Sequence, residues 1–591
     1  MFSRKLALLA LVALLVPMLA ACGGPETPTA TPTVTTAQAT AVPTAAPTDI
    51  LEIATATLMP EASPTGMMGG TGTSSATDTL YAAADCSYGG IMKSIEAVDD
   101  TTVRFTLCAP DPAFPSKIAF SSLGIQSAKH LQETGGAPLD RALGTGPYMV
   151  QEWRRGESLT LVANPNYWGE APKLKTVIFR WNKEAAGRLT NLRSGEADGI
   201  DNPDPNDFQS IESDATLKLY PREALNVFYI GLNNTKPPLD NEKVRQAIAM
   251  AINRQAIVDK FYPRGSTVAS HFTPCAIPGG CEGEAWYNYD VEAAKRLLTE
   301  AGFANGFNIR LSFRDVVRGY LPTPGKVAEE IQAQLQQLGI NATIDQQEST
   351  TFLDNASGGN LEMFLLGWGA DYPDATNFLD SHFGSGANES FGKKFEDITT
   401  TLNRAASLSD QAERNRLYAQ ANTAIKQHVP MVPVAHGGSA TAYKATVQGA
   451  HSSPLGNETF RVMSIPDKDT FVWVQNGEPG SLYCADETDG EALRACEQIF
   501  DPLLSYKVGS TEVEPNLAQS YEPNADLTQW TIRLRPGVKF SDNTTMTARD
   551  VVATYAAQWD AKHPLHKGRT GNFDYWTYLF TQFLNPPPPA P

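Results

Sequence analysis

The stretch Leu361-Glu-Met-Phe-Leu-Leu-Gly-Trp-Gly-Ala-Asp-Tyr-Pro-Asp374 carries the reading of the fold. Its first six residues form a short apolar run of the kind that makes a buried strand. Gly367, Gly369 and Pro373 punctuate its second half and predict that the chain turns there. In an open α/β sheet, ligands sit in the crevice beyond the carboxyl ends of strands, which is where Asp371 falls. A second charged residue, Arg318, comes after another strand-like run, Asn308-Ile-Arg-Leu-Ser-Phe313. A helix-like segment, Lys326 to Leu338, and a strand-like one, Asn341 to Asp345, lie between them. If both strands belong to one sheet, a carboxylate and a guanidinium share one rim and can hold the two ends of a zwitterion.

Outward from this unit, strands and helices alternate, which predicts an α/β lobe. Leu225 to Leu232 reads as a strand, and Asp240 as the N-cap of a helix reaching Ile252. Asp290 opens a second helix that Gly302 closes. Gln411 to Gln427 is a long helix ahead of the strand Met431-Val-Pro-Val434. Tyr81 to about Trp181 is richer in alternating strand patterns, such as Thr102-Val-Arg-Phe-Thr-Leu107.

The 591 residues exceed the usual size of one domain. A formal charge of −18 argues against nucleic acid as a partner, because phosphate binding needs a basic face. Arg4 and Lys5, the apolar run Leu6 to Leu15 and Leu19-Ala-Ala-Cys22 resemble a bacterial lipoprotein signal, with Cys22 as the acylated residue. The alternative is an ordinary secretory signal with an incidental cysteine. Residues 23 to about 77, rich in Thr, Pro and Ala, predict a disordered tether. Six further cysteines after an export signal suggest disulfides. Short loops favour the pairs Cys86–Cys108, Cys275–Cys281 and Cys484–Cys496 among 15 connectivities. No C-x-x-C is present, which weakens a zinc reading; no metal or cofactor is expected. Nucleophile-elbow, zincin, P-loop and dinucleotide-binding motifs are also missing, which points to a binder rather than an enzyme.

Gly367-Trp-x-x-Asp371, Arg318-x-Tyr-x-Pro322, Gly144-Thr-Gly-Pro-Tyr148, Asn164-x-x-Tyr-Trp168 and Leu192-Arg-Ser-Gly-Glu-Ala-Asp198 together resemble the family 5 extracellular solute-binding proteins, the dipeptide and oligopeptide receptors of ABC importers. The resemblance implies a two-lobe periplasmic-binding-protein-like α/β fold (type II, cluster C) with an accessory subdomain. It also implies that Asp371 takes a peptide's α-ammonium and Arg318 its carboxylate. Gly367 and Gly369 would let the ligand backbone approach, and Trp368 would lie beside a ligand side chain or in the core. Without the resemblance, Asp371 reads as a turn residue and Arg318 as a solvated loop arginine. Asp374 reads as a helix cap.

The order of the motifs departs from the family. Its carboxyl end is recognisable near Val447 to Ser464, yet the chain continues into Thr470-Phe-Val-Trp-Val474, Gly480-Ser-Leu482 and Trp530 to Phe540, which resemble the amino end. Each motif occurs once, so a circular permutation joined near Pro466 is favoured over a damaged tandem pair or a misjoined gene. Gly480, Ser481 and Leu482 would then face the ligand from the other lobe, although Leu482-Tyr-Cys484 stands where the family has Leu-Asp-Pro. The expected organisation is a signal peptide at 1–21 and an anchor and tether at 22–77. Lobe I comes next at 78–228, with the second part of the accessory subdomain, and lobe II at 229–443. Lobe I resumes at 444–483, and 484–591 forms the first part of the accessory subdomain. The resemblance further implies a monomeric receptor on the extracytoplasmic face that hands short peptides to a membrane permease. Nickel complexes, haem, sugars or opines are rival cargoes within the family. A lipid-anchored enzyme or sensor is the rival outside it.

Overall fold

A computed structural model describes residues 79–586. The expected signal peptide, Cys22 and tether lie outside the described residues.

The two longest sheets have different strand orders and separate cores. One runs Thr267–Val268, Met431–His436, Asn226–Leu232, Met363–Gly369, Asn308–Arg314, Asn341–Gln347. Asn226–Leu232 is buried along almost its whole length, as expected of a central strand covered on both faces. Its neighbours Met363–Gly369 and Met431–His436 run antiparallel to it, while Met363–Gly369 is parallel to Asn308–Arg314. Helices such as Val291–Glu300, Pro324–Gln336 and Gln411–His428 cover this sheet. Asp290 and Asp410 cap the first and last of these by accepting from the amides of Ala293 and Glu413. Asn241, rather than Asp240, caps the helix Glu242–Ala251, because its side chain accepts from the Lys243 amide at 3.0 Å.

The second sheet contains Tyr148–Arg154, Ser158–Ala163, Thr176–Trp181, Thr470–Gln475, Gly199–Asp201, Ser439–Lys444 and Leu217–Arg222. Thr470–Gln475 pairs in parallel with both Thr176–Trp181 and Gly199–Asp201, so a strand from late in the chain fills the middle of a sheet built earlier. A third sheet repeats this mixing: Gln529–Leu534 pairs antiparallel with Thr102–Leu107. One apolar core joins the two segments, packing Phe105, Phe114 and Phe179 with Trp473, Tyr555 and Trp576. Residues 470–586 are therefore part of the same lobe as residues 79–222. The chain crosses between the two lobes at 222–226 and again at 436–439, a few residues before the expected boundaries at 228/229 and 443/444.

The three disulfides are Cys86–Cys108, Cys275–Cys281 and Cys484–Cys496, the short-loop pairing that the spacing favours.

Candidate functional site

The strand Met363–Gly369 does not stop at its first glycine. It continues through Gly367, Trp368 and Gly369, each in register with Asn226–Leu232, and the chain turns only after Gly369. The reason is local. Gly367 lies beneath the Tyr320 ring and against the Val227 carbonyl, with no room for a Cβ, so the glycine is needed for close packing and not for a bend. Asp371 thus lies two residues past the carboxyl end of this strand, and Arg318 four residues past the end of its parallel neighbour Asn308–Arg314. The shared rim expected from the sequence exists at the level of the backbone. Arg318 itself is exposed, bridges Leu321 through the backbone and donates to the Val317 carbonyl at 3.1 Å.

Asp371 is held by a small network. Its amide donates to Asn377 Oδ1 at 2.9 Å, and Asn377 Nδ2 donates back to its carboxylate at 3.1 Å. Asn377 is fully buried and also accepts from Trp368 Nε1 at 3.3 Å, so one amide side chain positions both rim residues. From the other lobe, Tyr575 faces the same carboxylate and favours its charged form. Burial pushes the Asp371 carboxyl up to about 6, against the pull of these groups, and among the described residues no cation pairs with it. Around it stand aromatic rings from both lobes. Trp368 packs edge-on against Tyr578 at 6.0 Å, Tyr575 and Tyr578 meet at 5.9 Å, and Tyr575 rests on Phe120 at 4.7 Å.

Next to this point a cation–π contact crosses between the lobes. Lys117 pairs with Asp111 at 2.7 Å and lies over the ring of Tyr372, 5.5 Å from its centroid. Asp374 caps the short helical turn Ala375–Asn377 as expected and also receives Arg414 at 2.8 and 3.0 Å. Asp380 makes no ion pair among the described residues, and Lys117 and Arg414 compensate it only from a distance. One of its oxygens is buried without a hydrogen bond, and burial, reinforced by Asp374, pushes its carboxyl up to about 8.

The raised acids make stability depend on pH. Glu497 is likewise pushed up to about 8, by burial and then by Asp501. Between pH 6.5 and 8.5 the folded chain must release protons from Asp380 and Glu497 that an unfolded chain has already lost, so stability falls as pH rises. His382 and His436, pushed down to about 4 by burial, stay neutral in the folded chain but are about half protonated in the unfolded one at pH 6.5, so they oppose this fall weakly at the lower edge of the window. The ligand-free protein is expected to unfold at a lower temperature at pH 8.5 than at 6.5, and the double variant Asp380→Asn/Glu497→Gln is expected to lose most of that difference. A thermal scan in which both proteins respond equally to pH contradicts this assignment.

Not every residue singled out from the sequence reaches the rim. Gly369 ends the rim strand with open space where a Cβ would stand, whereas Gly480 is partly exposed beside the Glu487–Arg569 ion pair. Ser481 and Leu482 are fully buried in this conformation. The Leu482 amide donates to the Leu139 carbonyl, and the Ser481 hydroxyl accepts from the Tyr483 amide. Sequence reasoning missed Asn377, Lys117, Tyr575 and Tyr578. The helix Asp574–Phe580 carries both tyrosines at a spacing of three, which places them on one face, but that pattern alone does not say what the face meets.

Comparison with known proteins agrees with this architecture. The sequence profile of the bacterial extracellular solute-binding proteins, family 5 middle, matches residues 62–390 and 512–573. Heme-binding protein A of Haemophilus influenzae is 32% identical over 386 residues, 64% of this chain and 71% of that protein. The dipeptide-binding protein of Escherichia coli K12 is 31% identical over 387 residues, 64% of this chain and 72% of that protein. Among solved structures, HbpA2 from Haemophilus parasuis is 34% identical with a TM-score of 0.58, covering 64% of this chain and 76% of that one. Helicobacter pylori DppA in complex with the peptide STSA is 28% identical with a TM-score of 0.54, covering 64% of this chain and 74% of that one.

Proposed function

We propose that this chain, which belongs to family 5 of the bacterial extracellular solute-binding proteins, captures short peptides between its two lobes and delivers them to the permease of an ABC importer. Members of this family are extracytoplasmic binding proteins that serve ABC transporters, so the chain is a binder and not an enzyme. The observation that carries the peptide reading is Asp371. A carboxyl at the interlobe rim, buried enough to be pushed up to about 6 and lacking a cationic partner among the described residues, is suited to a ligand ammonium. Each charge-assisted hydrogen bond contributes about 1.5–3 kcal/mol net. An ammonium at Asp371 and a carboxylate at Arg318 contribute about 3–6 kcal/mol between them, and main-chain bonds along Gly367 to Gly369 would have to supply the rest of the about 8 kcal/mol that micromolar affinity needs. The relatives named for dipeptides support this cargo.

The same reading includes a monomer tethered through Cys22 to the outer face of a membrane, and a circularly permuted chain. Two observations support the permutation. The family profile matches in two separated blocks, and the end of the described chain packs beside its beginning. There the Ile91 amide donates to the Phe580 carbonyl, and Tyr81 Oη to Asp560 at 2.5 Å.

Haem is the second cargo to weigh, because one of the relatives is named a heme-binding protein. Mass spectrometry of material released from the purified soluble chain separates the two. Short peptides with free amino ends are expected. Haem, or any cargo without an amine, overturns the peptide reading.

A further inference from the structure

Tyr372 stands where the two lobes meet, one residue after the rim carboxylate. Its backbone follows the strand Met363–Gly369 of one lobe, yet its ring is buried in the other. Alone among the described residues of its lobe, Tyr372 joins the apolar core built from Phe105, Phe114 and Trp473, and it is only 3% exposed there. Lys117 lies over the ring, 5.5 Å from its centroid, and the Lys117–Asp111 pair is itself buried at this contact.

The ring is braced from its own side as well. Thr376 donates its hydroxyl hydrogen to Asp374 at 2.8 Å, so the Tyr372 hydroxyl is the donor in its 3.2 Å bond to Thr376 Oγ1. Asp374 is held in turn by Arg414, whose Nε donates to the Ala405 carbonyl at 3.3 Å. Asp371 is tied into the same loop, because its amide and its carboxylate both bond to Asn377. The loop from Asp371 to Asn377 therefore carries the rim carboxylate and the ring as one unit.

A ring anchored in one lobe and buried in the other stabilises the arrangement in which the lobes touch. When the lobes part, that ring returns to water and its apolar burial is lost. A ligand favours the closed form only through its differential affinity for it. Observed affinity therefore falls by the factor by which closing becomes less favourable.

We propose that Tyr372 is the latch of the two lobes, a positioning residue that acts through closure and sets how long a captured ligand is held. This inference rests on the reading of peptide capture between the lobes.

The test is stopped-flow tryptophan fluorescence with the dipeptide Ala-Ala, with Trp368 at the rim as reporter, and small-angle X-ray scattering with and without the dipeptide. Tyr372→Ala is expected to release Ala-Ala about tenfold or more faster than the wild type, the scale of losing one large buried side chain from the closed form. Association is expected to stay within about twofold, because the open form keeps its rim carboxylate. The saturated wild type contracts, whereas saturated Tyr372→Ala keeps the larger radius of gyration. Tyr372→Phe, which retains the ring, is expected to behave more like the wild type than like Tyr372→Ala. Wild-type release and contraction in Tyr372→Ala overturn the latch and leave the peptide reading standing. A Tyr372→Ala chain that fails to fold also overturns it, since each lobe must stay intact with the latch withdrawn. If Ala-Ala neither binds nor contracts the wild type, the peptide reading fails and ligand-free scattering decides the latch. A larger radius in Tyr372→Ala than in the wild type then supports it, and equal radii overturn it.

Discussion

Replacing Glu458 by alanine is expected to destabilise the lobe that contains it by about 3–5 kcal/mol, the cost of leaving a buried charge without its partner. Glu458 is fully buried and joins two arginines, receiving Arg222 at 2.7 Å and Arg494 Nε at 2.6 Å. The same arginines pair with Asp201, at 3.0 Å from Arg222 and 3.1 Å from Arg494. Two cations and two anions close a neutral ring. Burial opposes ionisation of both acids, yet the arginines hold Asp201 and Glu458 below the usual carboxylate range. Deleting Glu458 leaves one net positive charge inside a low-dielectric core. The ring also joins parts of the chain that are far apart in sequence. Asp201 and Arg222 end two strands of the seven-stranded sheet, whereas Arg494 lies on the helix Gly490–Ile499 and also donates to Gln475 at 3.2 Å. Chemical denaturation monitored by tryptophan fluorescence checks the effect, since Trp473 lies under the Arg494 guanidinium, 5.4 Å from the ring centroid. A loss below about 1 kcal/mol, the size of an exposed pair, contradicts the account.

Several parts of this architecture are legible in the sequence because they are local. Asp290 capping its helix depends on one side chain and the next turn. The three disulfides close loops of 6 to 22 residues, which is why proximity along the chain finds them. The rim position of Asp371 comes from an apolar run ending in a turn. The pattern ends that run too early, because a glycine needed for Tyr320 to pack over the strand looks in sequence like a glycine needed for bending. The helix cap slips by one residue at Asn241 because Asp and Asn are nearly equal N-caps, and only the geometry chooses between them. Tyr575 and Tyr578 are beyond reach for a different reason. They come some two hundred residues after Asp371, in a segment whose sequence points to the accessory subdomain. Their meeting with Trp368 and Asp371 depends on how the lobes pack, which no local pattern encodes.

Asp371→Asn is expected to weaken binding of a dipeptide by about 30-fold or more, because truncating one partner of a desolvated charge pair typically costs about 2–5 kcal/mol. The substitution keeps the shape and leaves a side chain that can still bond to Asn377, so the fold is expected to persist. What it removes is the charge that an α-ammonium would neutralise. In the wild type the empty carboxyl is held up to about 6 by burial, so peptide affinity is also expected to decline as pH falls below that value, and the variant to show no such decline. The decisive measurement is calorimetric titration of one dipeptide into the wild type and Asp371→Asn at pH 7.5, with thermal unfolding of both proteins recorded alongside. Micromolar or tighter binding by the wild type, lost in a variant that unfolds at the same temperature, is the expected result. Equal affinity in the two proteins contradicts the claim that this rim carboxylate grips the amino end of a peptide between the lobes.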